Sequence, residues 1–518
     1  MSQTWNQGYF TDAAYTHGYY PDLNPVLQRF TLELQGWALP AAQQPASARH
    51  CELGFGQGIS LAIHAAANPG HYTATDFNPA HAQHAQALAH ASGSGAQVLD
   101  DSFEQLLARP ELAPFDSLSL HGIWSWVSPA NRDAITELAR RQLKPGGVLY
   151  ISYNCLPGWA PASPLRQLFA LHDHYASVSG PSVEQRVDAA VQFAQQLLGA
   201  QPAYLRSVPQ LSARLDEIAK QNKNYLAHEY FNRQWNCLYF HEVVDALAGA
   251  KLDWACSATL LDGLDAINLK PEAQSFLKGV QHPILREQAR DYFVNRQFRK
   301  DLFVRGAVRL RVGEHRERLL STRLVLTRAA ADISMKVTGA LGEGSLSEQA
   351  YRPFIAALAE DGQSPKTLRQ LIPRLGEAVS WAQVQQVLLV LSGMGVVAPC
   401  HSEEVERSVR TRCRQLNRQL CERARYGSEI TSLASPLTGG GVSVGRFHQL
   451  FLLARELGKK QPQEWAQFAW QQLAVQNERL LKEGQALQTP QENLEELTRL
   501  AQAFAQQHLP VFKVLQVA

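Results

Sequence analysis

The segment Glu52-Leu53-Gly54-Phe55-Gly56-Gln57-Gly58 sets an acid and three glycines where a short apolar strand gives way to a helix. Glycines in such a turn let the backbone reverse tightly and approach a ligand that a Cβ would exclude. A second acid, Asp76, closes the next strand, where a carboxylate can accept both hydroxyls of a ribose. A dinucleotide fingerprint needs glycine where Ile59 stands, and no Gly-Lys-Ser/Thr follows to make a phosphate loop. What remains is an adenosine without a pyrophosphate, and S-adenosylmethionine, leaving as S-adenosylhomocysteine, fits. On this reading Glu52 and the turn Gly54-Phe55-Gly56-Gln57-Gly58 face its aminocarboxypropyl part, and Asp76 its ribose. Phe77 packs on the adenine, and Asp101-Ser102-Phe103 meets its amino group and ring edge. Asp101-Ser102 equally suits a helix cap.

Two further segments carry the acceptor chemistry. His121-Gly122-Ile123-Trp124-Ser125-Trp126-Val127-Ser128 follows the fourth strand, and Tyr153-Asn154-Cys155-Leu156-Pro157-Gly158-Trp159 ends the fifth. Ligands of open α/β sheets lie beyond the carboxyl ends of the strands. His121, Trp124, Trp126, Tyr153 and Trp159 are therefore expected near the transferred methyl. Aromatic walls attract a sulfonium or ammonium by roughly 0.5–2 kcal/mol each. Methyl transfer needs mainly alignment of donor and acceptor. An amine acceptor must also shed its proton, a step that His121 or Tyr153 could relay.

The elements that must position these residues read as alternating strands and helices. Strands are expected at 48–53, 71–76, 96–99, 115–120 and 148–153, with helices at 58–67, 79–92 and 129–142 between them. This rhythm argues for a parallel sheet covered on both faces. It breaks at 162–239, which is helical in pattern, and resumes with a helix at 240–248 and strands at 251–261 and 299–304. Past residue 310 come helices at 353–360, 365–375 and 381–394 and then Gly395-Val396-Val397, a winged-helix-like order. The remainder is helical, interrupted by the loop Ser435-Pro436-Leu437-Thr438-Gly439-Gly440-Gly441.

Composition sets the outer bounds. The chain has 518 residues, 49 basic against 47 acidic, and 45% hydrophobic residues, which suits packed domains and projects no net field toward nucleic acid or membrane. Seven scattered cysteines offer no CxxC pair, and the first residues resemble no secretory signal, so a reducing cytoplasm is expected. His241-Glu242-Val243-Val244-Asp245 lacks the second histidine of a zincin helix, and no metal is expected. His81, His84 and His90 read as a solvated helix face. The basic run 407–425 reads as a solvated or salt-bridged face.

Together, the glycine turn, the His121–Val127 run and the Ser152–Trp159 run resemble class I methyltransferases that carry a methyltransferase regulatory domain. The best-understood members are the rickettsial lysine methyltransferases acting on outer membrane protein B. Tyr15-Thr16-His17-Gly18-Tyr19-Tyr20-Pro21 is similar to the family's Tyr-rich N-terminal arm. His228-Glu229-Tyr230, Leu238-Tyr239-Phe240-His241-Glu242 and Arg290-Asp291-Tyr292-Phe293 are similar to its regulatory region. The resemblance implies a Rossmann-like seven-stranded sheet, cofactor contacts from Tyr15, Tyr20 and His121, and Tyr15, His121, Trp126 and Tyr153 close to the methyl group. Trp124 stands where the family usually has tyrosine, which removes a hydroxyl from the acceptor side.

The resulting expectation is an α/β methyltransferase with a helical insertion and a mainly helical C-terminal region. Its parts are an arm (1–40), a cofactor core (41–161), the insertion (162–239), the completion of the sheet (240–310), a winged-helix-like segment (311–400) and a helical end (401–518). Protein lysine N-methylation is the first reading, and a homodimer is plausible. A small-molecule N- or O-methyltransferase, favoured by Trp124, is the alternative. A cofactor-binding regulator without turnover is a third reading.

Overall fold

In the computed structural model, the residues described are 15–40, 45–176, 181–232, 234–376 and 379–518. Seven strands form one sheet: β1 (Arg49–Leu53), β2 (His71–Thr75), β3 (Gln97–Leu99), β4 (Phe115–Leu120), β5 (Leu143–Asn154), β6 (Leu252–Ser257) and β7 (Phe298–Arg305). Their order is β3-β2-β1-β4-β5-β7-β6. The first five run parallel, whereas β7 is antiparallel to both β5 and β6, so the sheet is mixed rather than all parallel. The register sets Tyr153 opposite Arg299 and Ile151 opposite Asp301.

Helix α1 (Pro25–Leu34) follows the arm and is capped by Asn24, whose side chain accepts from Val26 N. Helix α2 (Ile59–Ala67) is buried at all nine positions. A helix apolar all round must be covered all round. Here the sheet lies on one side and the helix Glu403–Arg423 on the other. Ile59, Ile63 and Ala66 of α2 thus share one core with Leu416, Leu420, Leu450 and Phe451 of the C-terminal region. Helix α3 (Pro79–Ser92) starts on the Asn78 cap with Pro at its first turn and ends on Gly93 at φ +63°. Helix α4 (Phe103–Ala108) opens on a reciprocal capping box between Ser102 and Gln105, and α5 (Pro129–Gln142) opens on Ser128. β5 already begins at Leu143, so Lys144-Pro145-Gly146-Gly147 belongs to the strand that was expected to start only at 148.

The described residues of 163–176 and 183–230 form helices with their own small core, around Phe169, Val191, Leu215 and Tyr230. Beyond the sheet, strand Arg323–Leu326 pairs with Lys366–Thr367 on one side and Val397–Pro399 on the other. The first two of these strands are additions to the helix-helix-helix-strand order read from sequence. Six arginines of the basic run have partners among the described residues. Arg410, Arg418 and Arg425 pair with Glu406, Glu456 and Glu422, Arg407 donates to Glu403 O and Arg412 to Asn68 O, and Arg423 reaches His84.

Candidate functional site

A cavity opens beyond the carboxyl ends of β1, β2, β3 and β4. Gly54, Phe55, Gly56, Gln57, Asp76 and Phe77 form its floor and Asp101, Ser102 and Phe103 one wall. His121, Gly122, Ile123, Trp126 and Asn131 form the opposite wall, and Tyr15, Thr16, Gly18 and Tyr20 of the arm close over it. Gly54, Gly56 and Gly58 all lie at positive φ (+70°, +56° and +73°), which explains three glycines in five residues. A Cβ on Gly54 would fall 2.2 Å from Ile123 Cδ1, and one on Gly58 2.5 Å from Ala85 Cβ. Gly58 serves as the N-cap of α2 and does not line the cavity.

Asp76, 8% exposed, holds the turn open from below. Its Oδ2 accepts from Gly56 N at 2.8 Å, and its Oδ1 accepts from Asn78 N at 3.1 Å and lies 3.2 Å from His81 Nδ1. His81 therefore faces the site, not solvent. Asp101 pairs with Arg109 across the cavity wall. Glu52 lies just behind the floor and among the described residues has no ion-pair partner. Burial, with the Asp76 carboxylate adding to it, pushes its carboxyl up to about 8.

His121 is stacked under Tyr20, with ring centroids 4.0 Å apart, and Tyr20 N donates to Ser60 Oγ at 2.8 Å. Tyr15 meets His228 of the insertion edge-on at 5.1 Å, and its carbonyl accepts from Gln57 Nε2. Tyr19 anchors the arm from behind. Its hydroxyl accepts from Gly441 N at 2.6 Å and lies 3.2 Å from His64 Nε2, while Asn24 Nδ2 donates to Thr438 O. The glycine loop of the C-terminal region is thus what the arm is fastened to.

Trp124, Tyr153 and Trp159 are not brought to the cavity. Successive side chains diverge in the tight turn after β4, where Trp126 N bonds Ile123 O, so Trp126 reaches the cavity and Trp124 enters the core at 1% exposure. Its replacement of tyrosine consequently says nothing about the acceptor. Tyr153 lies on the opposite face of β5 from Tyr150 and donates to Asp301 Oδ2 at 2.8 Å. Trp159 packs edge-on to Trp235 with the Arg214 guanidinium 4.6 Å from its ring, at the root of the insertion. Tyr20 takes the place beside His121 expected of these residues. The sequence reading missed Tyr150, whose hydroxyl lies 2.8 Å from His121 Nδ1. Strand parity with Ser152 was the signal for it.

Residues 51–147 match the family described as a methyltransferase domain, and residues 222–305 the one described as a predicted methyltransferase regulatory domain. Uncharacterized protein sll1526 of Synechocystis is 38% identical over 518 residues, covering 99% of this chain and 100% of its own. The chain belongs to the S-adenosylmethionine-dependent methyltransferases that carry a methyltransferase regulatory domain. Within this family, uncharacterized protein RP789 of Rickettsia prowazekii is 27% identical over 271 residues, 50% of this chain and 46% of its own. The structure of PKMT2 from Rickettsia typhi in complex with AdoHcy superposes with a TM-score of 0.70 at 16% identity, over 97% of this chain and 99% of its own. That likeness establishes the shared methyltransferase fold. The donor set of the cavity fits the cofactor of the family: a glycine cradle that Cβ atoms would fill, an unpaired carboxyl beside it, and phenylalanines on either side. Among the described residues no cluster of three or more metal-ligating side chains occurs, and no helix is long and apolar enough to cross a membrane.

Proposed function

We propose that this methyltransferase is a protein lysine N-methyltransferase. The observation that carries this reading is the aromatic rim of Tyr15, Tyr20, His121 and Trp126 over the glycine cradle. When bound, S-adenosylmethionine supplies a methyl group activated by its sulfonium. The chain's own part is to place an amine before that methyl and to keep the amine neutral. At pH 7.4, deprotonating a lysine with pKa near 10.4 costs roughly 4 kcal/mol. A rim that excludes water disfavours the ammonium and reduces that cost. Tyr153, its proton committed to Asp301, takes no part. Incubating the protein with methyl-labelled cofactor and a cell lysate tests the reading. Label recovered as methyl-lysine from a protein band is the expected result. Label confined to small molecules would overturn it in favour of a small-molecule methyltransferase, and tight binding without transfer in favour of a regulator.

In the same reading Glu52 balances the cationic end of the cofactor. A carboxyl that titrates near 8 in the free protein must ionise to do so. Lower pH keeps Glu52 protonated and weakens cofactor binding, so affinity should fall by up to about tenfold per pH unit below 8. The free protein, by contrast, should gain stability from this group as pH falls through 8, because folding raises its pKa. Isothermal titration with the cofactor at pH 6, 7 and 8 checks the slope. An equal slope in Glu52→Gln would remove Glu52 from the role.

The C-terminal region, we infer, governs the arm. Burial brings His64 down to about 3, so its ring is neutral, and its Nε2 lies within hydrogen-bond distance of the Tyr19 hydroxyl while Gly441 N donates to the Tyr19 oxygen. Tyr19→Phe leaves two buried groups without a partner, a loss of about 1–2 kcal/mol. If the arm's anchoring supports cofactor binding, the cofactor KM should rise roughly 5- to 30-fold. A lower melting temperature with unchanged KM would show the contact to be structural only.

A further inference from the structure

Tyr150, Ser152 and Gly122 form a closed set around one nitrogen of His121. Gly122 N donates to Ser152 Oγ at 2.7 Å, Ser152 bonds the Tyr150 hydroxyl, and that hydroxyl lies 2.8 Å from His121 Nδ1. Ser152 Oγ is itself 3.4 Å from the same nitrogen. Tyr150 and Ser152 are both fully buried, and no other side-chain or backbone partner serves either hydroxyl among the described residues. The backbone N–H of Gly122 can only donate, and that fixes the direction of the whole set.

If Nδ1 carried the ring proton, it would donate to Tyr150, Tyr150 would donate to Ser152, and the Ser152 proton would have no acceptor left. If Nδ1 is bare, Gly122 donates to Ser152, Ser152 to Tyr150, and Tyr150 to His121, and every buried donor is satisfied. Buried donors without acceptors are strongly disfavoured. We infer that Tyr150 and Ser152 are positioning residues that hold His121 as its Nε2–H tautomer, so that His121 offers the cavity a hydrogen-bond donor and not a base. The imidazolium form is disfavoured by the same count, because it too carries a proton on Nδ1. Burial, reinforced by the Lys300 ammonium, brings the ring down to about 3 in agreement with this.

A donor at this place recognises an oxygen, either of the cofactor or of the acceptor's peptide group, and leaves the lone pair of an amine free to attack. This consequence rests on the cavity being the cofactor and acceptor site proposed above, whereas the tautomer is a property of the free protein. Long-range ¹⁵N–¹H spectra of the full chain, labelled at histidine, with His121 assigned by its loss in His121→Gln, separate the two. The free protein should show the Nε2–H pattern at pH 7, and an Nδ1–H or imidazolium pattern would overturn the proposal. Tyr150→Phe combined with Ser152→Ala, which removes both hydroxyls that face Nδ1, should release the lock to a tautomer mixture, and an unchanged pure tautomer would refute the directional set. Adding S-adenosylhomocysteine alone, then with Nα-acetyl-lysine N-methylamide, assigns the oxygen. A shift of the Nε2–H resonance in the first step places it on the cofactor, a shift only in the second on the acceptor. No shift in either would overturn the donor role. In turnover, His121→Gln, which keeps a donor, should retain activity within about tenfold, and His121→Leu should lose about a hundredfold. Equal losses in the two would count against the donor.

Discussion

Replacing Asp301 with alanine is expected to lower the melting temperature by roughly 3–5 °C, the shift that 3–5 kcal/mol makes in a chain of 518 residues. Asp301 has no exposed surface, yet it accepts from four donors: Tyr153 Oη, Trp254 Nε1, and Arg299 through Nε and Nη2, all at 2.8 to 2.9 Å. Arg299, itself 3% exposed, also bonds Asp291 and Glu287 and lies 4.2 Å from the centre of the Phe240 ring. Removing one side of a buried, hydrogen-bonded charge pair leaves the other charge uncompensated, and that typically costs about 3–5 kcal/mol. Alanine here leaves a phenol and an indole N–H without their acceptor and takes two bonds from the guanidinium, which keeps only Asp291 and Glu287. The cost falls on the pairing of β5 with β7, the antiparallel strand that distinguishes this sheet. A scanning thermal melt measures it. A loss of 2 °C or less would mean that the cluster is not the clamp that its geometry describes. Asp301→Asn, which keeps an acceptor oxygen, should fall between alanine and the native residue.

That cluster also shows where the sequence was silent. Arg290-Asp291 was recognisable as part of a pattern, but its use beside Arg299 depends on β7 running backwards beside β5. A reversed strand reached through a long helical connection leaves no periodic trace. By contrast, the first βα turn was readable in detail, because positive φ at three closely spaced positions admits almost nothing but glycine. Helix α3 was readable to its ends for a similar local reason, an Asn cap, a proline and a terminal glycine. Trp124 and Trp126 could not be told apart, since an aperiodic turn gives no rule for which side chain faces the core. Tyr150 could have been found, for strand alternation places it with Ser152 and opposite Tyr153. The uniformly apolar α2 likewise signalled a second covering layer, and the C-terminal region, read from sequence as a separate part, supplies it.

Asp76→Ala should weaken cofactor binding by at least about a hundredfold. The carboxylate has two tasks at once. From inside, it fixes the turn through Gly56 N and Asn78 N, and it keeps the His81 ring beside it. From the cavity side, its remaining lone pairs are those that the proposed ribose contact would use. Each hydrogen bond to a charged acceptor contributes about 1.5–3 kcal/mol, so losing two within the protein already exceeds the 2.7 kcal/mol of a hundredfold change. Relaxation of the turn would recover part of this, and the ribose contact, once lost, adds to the deficit. Gly56 makes recovery hard, because its N–H points into a left-handed bend where no other acceptor among the described residues reaches it. Asp76→Asn discriminates the two tasks. Its amide oxygen can still accept from Gly56, but its NH₂ opposes Asn78 N, so the turn should half survive and affinity should fall roughly 10- to 30-fold. Titration with S-adenosylhomocysteine, alongside a melt to confirm folding, measures both variants. Native affinity in a folded Asp76→Ala would show that the glycine turn holds its shape without the carboxylate, and that the cofactor does not lean on it.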